Sequence, residues 1–362
     1  MKIVIRAGGT GTRLWPLSRQ HLPKQFQKVV GDQTMVRTTY NRIKSLLTQP
    51  TDIFVSVNQQ LVNQLTAEIP ELVKTNIIVE TSTRNTGPAM CLEVCYLAKF
   101  CQPQEIIASL PSDDYISNAN AFCDLLRTSA DWLQSHPDYI IMLAVHPTYV
   151  DTGYTYTKIG QPLSQSTNQA IYQVADVVEK PNEERCQELI DSGVYYCHAG
   201  MYIWQLSTII KLFQELQPTM YQTCQRLVGL MLVDQPDWGV IKEEYEKLDK
   251  MTIESAITHR AQQVAMSVSD KVGWSDVGKW HIIKRILSNS KENLTKGEVY
   301  YHNAKNNLVY NNSAKKIIVL NGVDDLVIVD TGDVLLVSSL DKSAEVKKAV
   351  EELKKQNKNH YL

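Results

Sequence analysis

The sequence lacks a strong net charge of either sign. Its 362 residues include 37 lysines and arginines and 39 aspartates and glutamates, which give a formal net charge of −2. A protein that binds nucleic acid or an anionic membrane through its overall field carries a clear basic excess. We therefore expect neither nucleic acid nor a membrane as a partner, and any bound anion must be held by a local group of residues.

Long apolar runs and paired cysteines are also missing. No stretch approaches the roughly 20 apolar residues of a membrane span. The N-terminal MKIVIRAGG has no small-residue cleavage site, so we expect no signal peptide. The seven cysteines are odd in number and include no CxxC pair, which indicates reduced, mostly buried thiols in a cytoplasmic protein and argues against disulfides and a zinc site.

Short β-rich runs alternate with helical patterns over the first 150 residues. This alternation predicts an α/β fold with a Rossmann-like, mostly parallel sheet and flanking helices. In such sheets ligands bind where the strands end. The predicted strands are Lys2–Ile5, Ile53–Val57, Asn76–Glu80, Glu105–Leu110 and Tyr139–Val145, and the helices between them include Thr34–Leu47 and Ala89–Phe100.

The pattern changes twice further along the chain. From about residue 150 to residue 204 longer alternating strands predict an insertion that covers one side of the sheet. Beyond residue 288 three short strands, Ile317–Leu320, Leu326–Val329 and Val334–Val337, alternate with turn residues. They predict stacked β-coils, with an ordinary antiparallel sheet as the alternative. We therefore divide the chain into an α/β domain, residues 1–288, and a β-rich tail with a terminal amphipathic helix, residues 289–362.

A glycine-rich loop, AGGTGTRLWP, directly follows the first predicted strand. Glycines allow backbone amides to approach phosphate oxygens closely. A dinucleotide fingerprint starting at Gly9 requires Gly or Ala where Leu14 stands, and no GxxxxGK[ST] pattern can be drawn. Because Pro16 and Pro23 oppose a helix here, a long loop is expected over residues 9–25. A Rossmann dehydrogenase and a P-loop kinase are both excluded.

The same loop carries Arg13, Arg19 and Lys24. Arg13 offers a planar fork and Lys24 a mobile point charge, a combination that suits a triphosphate whose charge redistributes during a reaction. A solvated basic loop is the alternative. Asp113 and Asp114 follow the predicted strand Glu105–Leu110, and one of them could hold Mg²⁺, which takes one or two carboxylates in proteins. An ordinary cap or turn is compatible with this pattern too.

The segment AGGTGTRLWPLSRQHLPKQF resembles the signature of sugar-nucleotide pyrophosphorylases, and its LWPLSR core is similar to the mannose-1-phosphate guanylyltransferase branch. Further segments agree over essentially the whole chain. RNTGPA is similar to the family's RNTAPA, LPSDD to LPADH, GWSDVG to W-x-D-x-G, DTGY to ETGYGY, VEKP to FxEKP and CHAGMY to WNSGMF.

The resemblance implies roles for individual residues. Arg13 and Lys24 would contact the phosphates and carry catalysis, and Asp113 and Asp276 would hold magnesium. Nucleotide binding would involve Ala7, Gly8, Gly9, Thr10, Gly11, Thr12, Glu80, Arg84, Asn85, Thr86 and Pro88, with Glu80, Arg84, Asn85 and Thr86 near guanine. Sugar-phosphate binding would involve Gly153, Tyr154, Glu179, Lys180, His198, Ala199 and Gly200.

Five positions or segments depart from the family pattern. Gly87 replaces Ala, Asp114 stands where His is frequent, His198 replaces an Asn, Thr252–Glu254 replaces Ser-Ile-Asp, and Arg6 replaces an aliphatic residue. A histidine cannot copy the hydrogen-bond geometry of an amide, which leaves the sugar open. A charge in a central strand is costly unless it is paired, and the sequence offers no partner for Arg6.

The implied reaction is the transfer of a guanylyl group from GTP to α-D-mannose 1-phosphate, which gives GDP-mannose and pyrophosphate with Mg²⁺ as cofactor. The same chemistry on another hexose or heptose 1-phosphate or nucleotide is one alternative, and a non-catalytic sugar-nucleotide sensor is another. The resemblance also implies a left-handed β-helix-like tail, and no fused isomerase domain is expected. We expect this C-terminal region to mediate a homodimer, because exposed coil edges are readily covered by a second copy.

Overall fold

The structure is a computed structural model that describes residues 1–9, 11–165, 170–288 and 291–362. These residues form two compact units. Unit 1 comprises Met1–Gly8, Tyr40–Pro111 and Ile116–Trp274, and unit 2 comprises Gly9–Thr39, Ser112–Tyr115 and Ser275–Leu362. This division differs from the linear boundary predicted between residues 288 and 289, because the segment 9–39 shares a core with the tail. No helix in the described ranges is both long and apolar enough to cross a membrane.

The strands alternate with helices along most of the chain. In chain order the strands are β1 (Lys2–Ala7), β2 (Ile53–Asn58), β3 (Ile77–Glu80), β4 (Ile106–Pro111), β5 (Asp114–Ile116), β6 (Ile140–Val145), β7 (Thr155–Gln165), β8 (Ala170–Glu179), β9 (Tyr195–Gln205), β10 (Val264–Val268), β11 (Trp274–Asp276), β12 (Leu294–Lys296), β13 (Val299–His302), β14 (Leu308–Asn311), β15 (Ile318–Asn321), β16 (Leu326–Asp330) and β17 (Leu335–Ser339). The helices are α1 (Met35–Ile43), α2 (Val62–Glu68), α3 (Thr86–Leu97), α4 (Ala119–Ser135), α5 (Glu183–Asp191), α6 (Leu206–Leu216), α7 (Pro218–Met231), α8 (Trp238–Glu246), α9 (Trp280–Leu287) and α10 (Val346–Lys355).

Unit 1 is built on a large, mostly parallel sheet, as predicted. In the described part of the chain the sheet has nine strands in the order β3-β2-β1-β4-β9-β6-β10-β8-β7. Strands β1 to β4 pair in parallel with one another, and β6 pairs in parallel with β10. Strands β7, β8 and β9 pair antiparallel with each of their neighbours in the sheet. Strands β2, β4, β6 and β10 are buried at nearly every position, as expected for strands that are covered on both faces.

The predicted strands of the first 150 residues coincide with β1, β2, β3, β4 and β6 within two residues at each end. The predicted helix Thr34–Leu47 is shorter, because α1 ends at Ile43 and a 3₁₀ turn follows. Helix α3 begins three residues earlier than predicted, because Asn85 accepts a hydrogen bond from the backbone N–H of Thr86 and caps it there. Element type was therefore easier to predict than element ends.

Helix α3 is buried on all sides. It contacts α6 and α7, and its Met90 belongs to one core with Trp204, Phe213 and Leu227. Its sequence is almost entirely apolar, which is typical of a helix without a solvent-facing side. The exception is Glu93, the one charged residue of the helix, and its side chain is also buried.

The core of unit 2 joins the N-terminal loop to the tail. Leu14 and Trp15 pack with Trp280 of α9 and Val350 of α10. The indole N–H of Trp15 also donates to the carbonyl oxygen of Tyr361 at 2.8 Å. These contacts explain why the compact unit is discontinuous in sequence: the loop supplies part of the apolar surface that the tail needs to bury.

The tail consists of stacked parallel coils. Strands β12, β14 and β16 pair in parallel, and β13 pairs in parallel with β15. Leu294 faces Leu308 and Leu308 faces Val327, so one coil takes 14 residues and the next takes 19. The predicted stacking is confirmed. The three predicted strands begin at residues 317, 326 and 334, which are 9 and then 8 residues apart. This spacing is not the coil period, because each coil contributes strands to two sheets. The antiparallel alternative is right only for β16 and β17.

A buried asparagine connects successive coils of the tail. The Nδ2 of Asn307 donates to Asn293 Oδ1 and to the carbonyl of Val323, each at 2.9 Å. Its Oδ1 accepts from the backbone N–H of Leu326 at 2.9 Å. Because buried backbone groups at coil corners need partners, the amide replaces the hydrogen bonds that a strand would supply.

We expect Gly297→Ala to destabilise unit 2 more than Gly322→Ala. Both glycines have positive φ angles, +87° and +65°, so alanine costs about 1–2 kcal/mol at either site. At Gly297 an added Cβ would also lie 2.1 Å from the carbonyl oxygen of Asn311, whereas Gly322 has open space. The overlap should cost roughly 1–3 kcal/mol more. Urea denaturation measures the difference, and equal losses for the two variants would contradict this packing.

Candidate active site

The glycine loop folds back against Lys24 within unit 2. Gly11 has a φ of +60°, and a Cβ there would lie 2.5 Å from the Cβ of Lys24. Gln25 Nε2 donates to the carbonyl of Gly9 at 2.9 Å. The long loop expected over residues 9–25 contains only short 3₁₀ turns in its described part, at Thr12–Leu14 and Lys24–Phe26. Predicted nucleotide contacts at Thr10 fall outside the described residues.

Three of the predicted catalytic and metal-binding side chains meet in unit 2. Lys24 Nζ lies 3.0 Å from Asp113 Oδ2 and 3.1 Å from Asp276 Oδ1. The lysine side chain is 2% exposed, whereas the Asp113 and Asp276 side chains are 35% and 24% exposed. Asp114, the neighbour of Asp113, is buried in β5. Carboxylates that are 163 positions apart in the sequence thus converge on one ammonium group and leave oxygen atoms open.

The charges of this cluster reinforce one another. Burial opposes the charge on Lys24, but the neighbouring carboxylates of Asp113 and Asp276 outweigh burial and hold the pKa of the ammonium above its usual value. Burial also opposes the ionisation of Asp276, but Lys24 and Arg13 outweigh it and hold the pKa of that carboxyl below its usual value. At neutral pH Lys24 is therefore a fixed cation and cannot serve as a general base.

The carboxylates of Asp113 and Asp276 fit a hard divalent cation. Both point oxygen atoms at one positive group, and Mg²⁺ prefers oxygen ligands while keeping several waters. No group of three or more His, Cys, Asp or Glu side chains suited to a metal occurs among the described residues. The chain therefore offers a two-carboxylate site of the kind that needs substrate oxygens or water to complete it.

In unit 1 the predicted base-binding segment is fixed to the segment 251–253. Thr86 Oγ1 accepts from the backbone N–H of Ile253 at 2.9 Å, and the N–H of Gly87 donates to the carbonyl of Met251 at 2.9 Å. A Cβ at Gly87 would lie 2.9 Å from that carbonyl oxygen. Such a Cβ would also lie 3.3 Å from the carbonyl oxygen of Thr252, so the departures from the family pattern at positions 87 and 252 are close to each other.

Glu80 lies beside Gly8, at the end of β1 in unit 1. Its Oε1 accepts from Ser56 Oγ at 2.7 Å, and a Cβ at Gly8 would lie 3.1 Å from the same oxygen. Burial raises the pKa of Glu80 above its usual value, while Ser56 and Arg6 partly oppose this. The missing side chain at Gly8 therefore leaves room for this carboxyl group. Arg84 and Pro88, also predicted to bind the nucleotide, belong to the same unit.

The structure supplies the partner that the sequence could not assign to Arg6. Its Nη1 donates to Ser109 Oγ at 2.6 Å, and its Nη2 donates to the carbonyl of Gly200. Ser109 Oγ in turn donates to Glu93 Oε2 at 3.2 Å. Burial raises the pKa of Glu93 to about 7, although Arg6 opposes that shift. Sequence reasoning missed Glu93; its signal was a single acid in an otherwise apolar helix.

His198 is buried beside Glu254. Its side chain is 2% exposed, and its Nδ1 lies 3.7 Å from Glu254 Oε1, which also accepts from the Tyr202 hydroxyl at 2.6 Å. Burial lowers the pKa of His198, which favours the neutral ring. His198 Nε2 has no hydrogen-bond partner among the described residues, so its predicted sugar contact stays a prediction, whereas Gly200, two residues later, is half-buried. Ala199 between them is buried as well.

The remaining predicted sugar residues meet at the ends of β7 and β8. The backbone N–H of Lys180 donates to the carbonyl of Tyr154 at 3.0 Å. Lys180 Nζ lies 3.2 Å from Glu179 Oε1, and the lysine side chain is 59% exposed. Gly153 N–H donates to Asp151 Oδ1 at 2.9 Å. Asp151 and Pro181 are buried, whereas Gly153, Glu179 and Lys180 are exposed beside the half-buried Tyr154 and form a polar surface within unit 1.

Comparison with known proteins gives a consistent result over the chain. The family model described as Nucleotidyl transferase matches residues 2–292, and the model described as MannoseP isomerase/GMP-like beta-helix domain matches residues 297–353. The chain is 32% identical over 367 residues to Mannose-1-phosphate guanylyltransferase 2 of Escherichia coli O157:H7, covering 99% of this chain and 74% of that relative.

Two further matches agree. Identity to Mannose-1-phosphate guanylyltransferase RfbM of Salmonella typhimurium is 34% over 361 residues, covering 99% of this chain and 73% of that protein. The fold superposes on a crystal structure from Thermus thermophilus, described as mannose-1-phosphate geranyltransferase, with a TM-score of 0.84. That match has 25% identity and covers 98% of this chain and 99% of the other.

We expect Glu93→Gln to flatten the pH dependence of stability. The folded pKa of about 7 lies above the ordinary value of 4.5, so the folded state binds a proton that the unfolded state releases. This contribution is fully present below about pH 4.5 and is lost as the pH rises through about 7. It amounts to roughly 1–3 kcal/mol.

Urea denaturation between pH 4.5 and 8 tests this expectation, with the exposed helix position Glu215→Gln as the control. The control should follow the wild-type protein at every pH. Parallel curves for the wild-type protein and Glu93→Gln would contradict the assignment of the raised pKa to this carboxyl.

Proposed function

The chain belongs to the nucleotidyl transferase family, and we propose on this basis that it transfers a guanylyl group from GTP to α-D-mannose 1-phosphate. The products are GDP-mannose and pyrophosphate. Relatives named mannose-1-phosphate guanylyltransferase that align with 99% of the chain support the substrates. The single structural observation that carries the proposal is the convergence of Asp113 and Asp276 on Lys24.

The reaction needs positioning and charge more than proton transfer. A phosphate oxygen of mannose 1-phosphate attacks the α-phosphorus of GTP, the bond from that phosphorus to the bridging oxygen breaks, and pyrophosphate leaves. A phosphate nucleophile is already ionised near pH 7, so no general base is required. The raised pKa of Lys24 supports a role as a permanent cation, and Arg13 is its proposed partner on the phosphates.

Asp113 and Asp276 are the proposed ligands of Mg²⁺. Their carboxylates are partly open, and they face a positive group, which supports the assignment. Bound there, Mg²⁺ would neutralise negative charge on the phosphates as pyrophosphate departs. Lys24 holds both carboxylates in place through its 3.0 Å and 3.1 Å contacts, so it also organises the metal ligands.

Glu80 is the proposed selector of guanine. The Watson–Crick edge of guanine presents two adjacent donors, the ring N–H and the amino group, whereas adenine presents an acceptor at the ring nitrogen. A buried carboxylate beside Gly8 would accept from guanine and repel the adenine acceptor. Arg84, Asn85, Thr86 and Pro88 are proposed to complete the base site, with Ala7 and residues 8–12 against the nucleotide.

Sugar-phosphate binding is proposed for the surface formed by Gly153, Tyr154, Glu179 and Lys180. The exposed ammonium of Lys180 suits a phosphate, and Glu179 can accept from sugar hydroxyls. His198, Ala199 and Gly200 belong to the same proposal. His198 favours one second candidate, the same reaction on another hexose or heptose 1-phosphate, because a buried imidazole stands where an amide is expected to contact the sugar.

The domain roles and the location are part of the proposal. Residues 1–288 are proposed to form the catalytic domain, with residues 150–204 as the sugar-binding insertion, and residues 289–362 the β-helix-like tail. The seven cysteines carry free thiols and six of them are buried, which supports the cytoplasmic location that we propose.

We expect the purified protein to release pyrophosphate most rapidly with GTP and mannose 1-phosphate in the presence of Mg²⁺. All pairings of GTP, ATP, UTP and dTTP with mannose, glucose and related 1-phosphates should be compared. Lys24→Ala and Asp276→Asn should each lower kcat by at least about 100-fold, because they remove charge stabilisation. Glu80→Gln should lower the ratio of kcat/KM for GTP over ATP by about 10-fold or more.

Lys28→Ala is the matched control, since this exposed lysine lies four residues from Lys24. It should keep wild-type rates. If pyrophosphate release is fastest with a different sugar phosphate, the proposed reaction stands and the proposed substrate is wrong. If no pairing releases pyrophosphate, the enzymatic proposal is overturned in favour of a sugar-nucleotide sensor.

We propose that the outer face of β13 and β15 mediates a homodimer. Tyr300 and Val319 are register partners in this two-stranded sheet, and they and Ile317 are 59%, 57% and 55% exposed. Contiguous exposed apolar side chains are typical of interfaces. Each of these two strands pairs only with the other in the described ranges, so each has an edge that a second copy could cover.

We expect Val319→Lys to convert a dimer into a monomer, because a charge would be buried at the interface. Light scattering should give about twice 41.1 kDa for the wild-type chain and about that mass for the variant. Val240→Lys, at another exposed apolar position, is the control and should stay dimeric. A wild-type mass of one chain would reject the dimer.

A further inference from the structure

We propose that Arg6, which Ser109 links to the buried carboxyl of Glu93, is a positioning residue that fixes the Gly200 carbonyl and so sets the shape of the irregular segment His198–Met201 of β9 toward the sugar phosphate. The relevance to the sugar rests on the function proposed above. The structural part does not, because it concerns only how β9 is held in unit 1. Neither Arg6 nor Glu93 was assigned a role by the family pattern.

Gly200 lies where β9 loses its regular pairing. The ladder between β4 and β9 ends at Ser109 and Tyr202. On the other side β6 pairs Met142 with Tyr202 and then Ala144 with His198, so β9 takes up two extra residues in between. Gly200 has a φ of +67°, in the left-handed region. Irregular strand segments of this kind redirect side chains near binding sites, and they need other contacts to hold their shape.

Arg6 provides that contact from two strands away. Strand β4 lies between β1 and β9, so the side chain of Arg6 must reach over roughly two strand spacings, about 10 Å, to the Gly200 carbonyl. Its Nη1 donates to Ser109 Oγ of the intervening strand at 2.6 Å while Nη2 donates to Gly200. The planar fork of arginine allows both bonds at once, which explains why a long, two-pronged donor occupies this position.

Glu93 offsets part of the cost of placing Arg6 in a central strand when its carboxyl is ionised, above its pKa of about 7. It is the sole charged side chain of α3, it is buried, and Ser109 Oγ connects it to Arg6. A guanidinium half-buried in such a strand is costly without an opposite charge, and a buried carboxylate is costly without a cation. Arg6 and Glu93 are therefore linked through Ser109, although they lie on a strand and a helix that are far apart in sequence, and the charge of Arg6 only partly opposes the effect of burial on the pKa of Glu93.

The other side of this irregular segment of β9 is held independently of Arg6. His198 packs against Tyr202 with ring centroids 4.8 Å apart, and the Tyr202 hydroxyl donates to Glu254 at 2.6 Å. The segment His198–Met201 is thus fixed at Gly200 by Arg6 and at its flanks by Glu254. Loss of Arg6 should leave the flanks in place and release the Gly200 peptide, which predicts a local change rather than unfolding of the sheet.

Two variants test this. Arg6→Lys keeps the charge near Glu93 but loses the planar fork, and Arg6→Met with Glu93→Gln removes both charges while keeping similar shapes. We expect amide hydrogen exchange over residues 197–203 to become at least about 10-fold faster in both. We also expect KM for mannose 1-phosphate to rise about 10-fold, more than KM for GTP, with kcat within about threefold, since small misplacements of a binding group carry costs of this size.

Arg127→Lys, at an exposed ion pair on α4, is the matched control and should change neither readout. Wild-type exchange and wild-type KM values in both variants would overturn the positioning role and leave Arg6 as a packing residue. If the double variant fails to fold, Arg6→Lys decides. If the wild-type protein is inactive with every substrate, the proposed function fails. The amide hydrogen exchange measurement still decides whether Arg6 holds the segment His198–Met201.

Discussion

A buried ammonium group must face carboxylates, and much of unit 2 is arranged around that requirement. Removing a charge from water costs several kcal/mol unless opposite charges and hydrogen bonds replace the solvent. Lys24 is 2% exposed and meets Asp113 at 3.0 Å and Asp276 at 3.1 Å. The glycine at position 11 is needed because any side chain there would collide with Lys24. The loop that carries Lys24, the residue Asp113 just before β5, and the strand β11 that carries Asp276 are therefore fixed by contacts with one charge.

The same requirement organises the buried polar groups of unit 1. Arg6 is linked to Glu93 through Ser109, and Glu254 lies 3.7 Å from the buried ring of His198. Ser109 and His198 lie next to the segment of β9 where the regular ladder is interrupted and backbone groups need other partners. Two departures from the family pattern that looked unrelated in the sequence, His198 and Glu254, are thus neighbours in the structure.

Local signals in the sequence predicted most elements correctly. The β-branched runs of β1, β2 and β4 and the glycine loop were visible because they depend on neighbouring residues alone. The meeting of Lys24, Asp113 and Asp276 was expected from matching motifs, and their contact distances required the structure. The compact unit that joins residues 9–39 to the tail was not expected, because the packing of Trp15 on α10 leaves no periodic trace.

By itself the sequence determined the strand and helix pattern, the loop that excludes a dehydrogenase or kinase, and the stacked character of the tail. Spacing and residue type suffice for these, since they express backbone preferences and hydrophobic periodicity. Only the tertiary structure decided that Ser109 links Glu93 to Arg6, that His198 is buried, that Gly87 makes room for Met251, and that the coils take 14 and 19 residues. Each of these depends on which distant side chain occupies the facing position, and no local pattern carries that information.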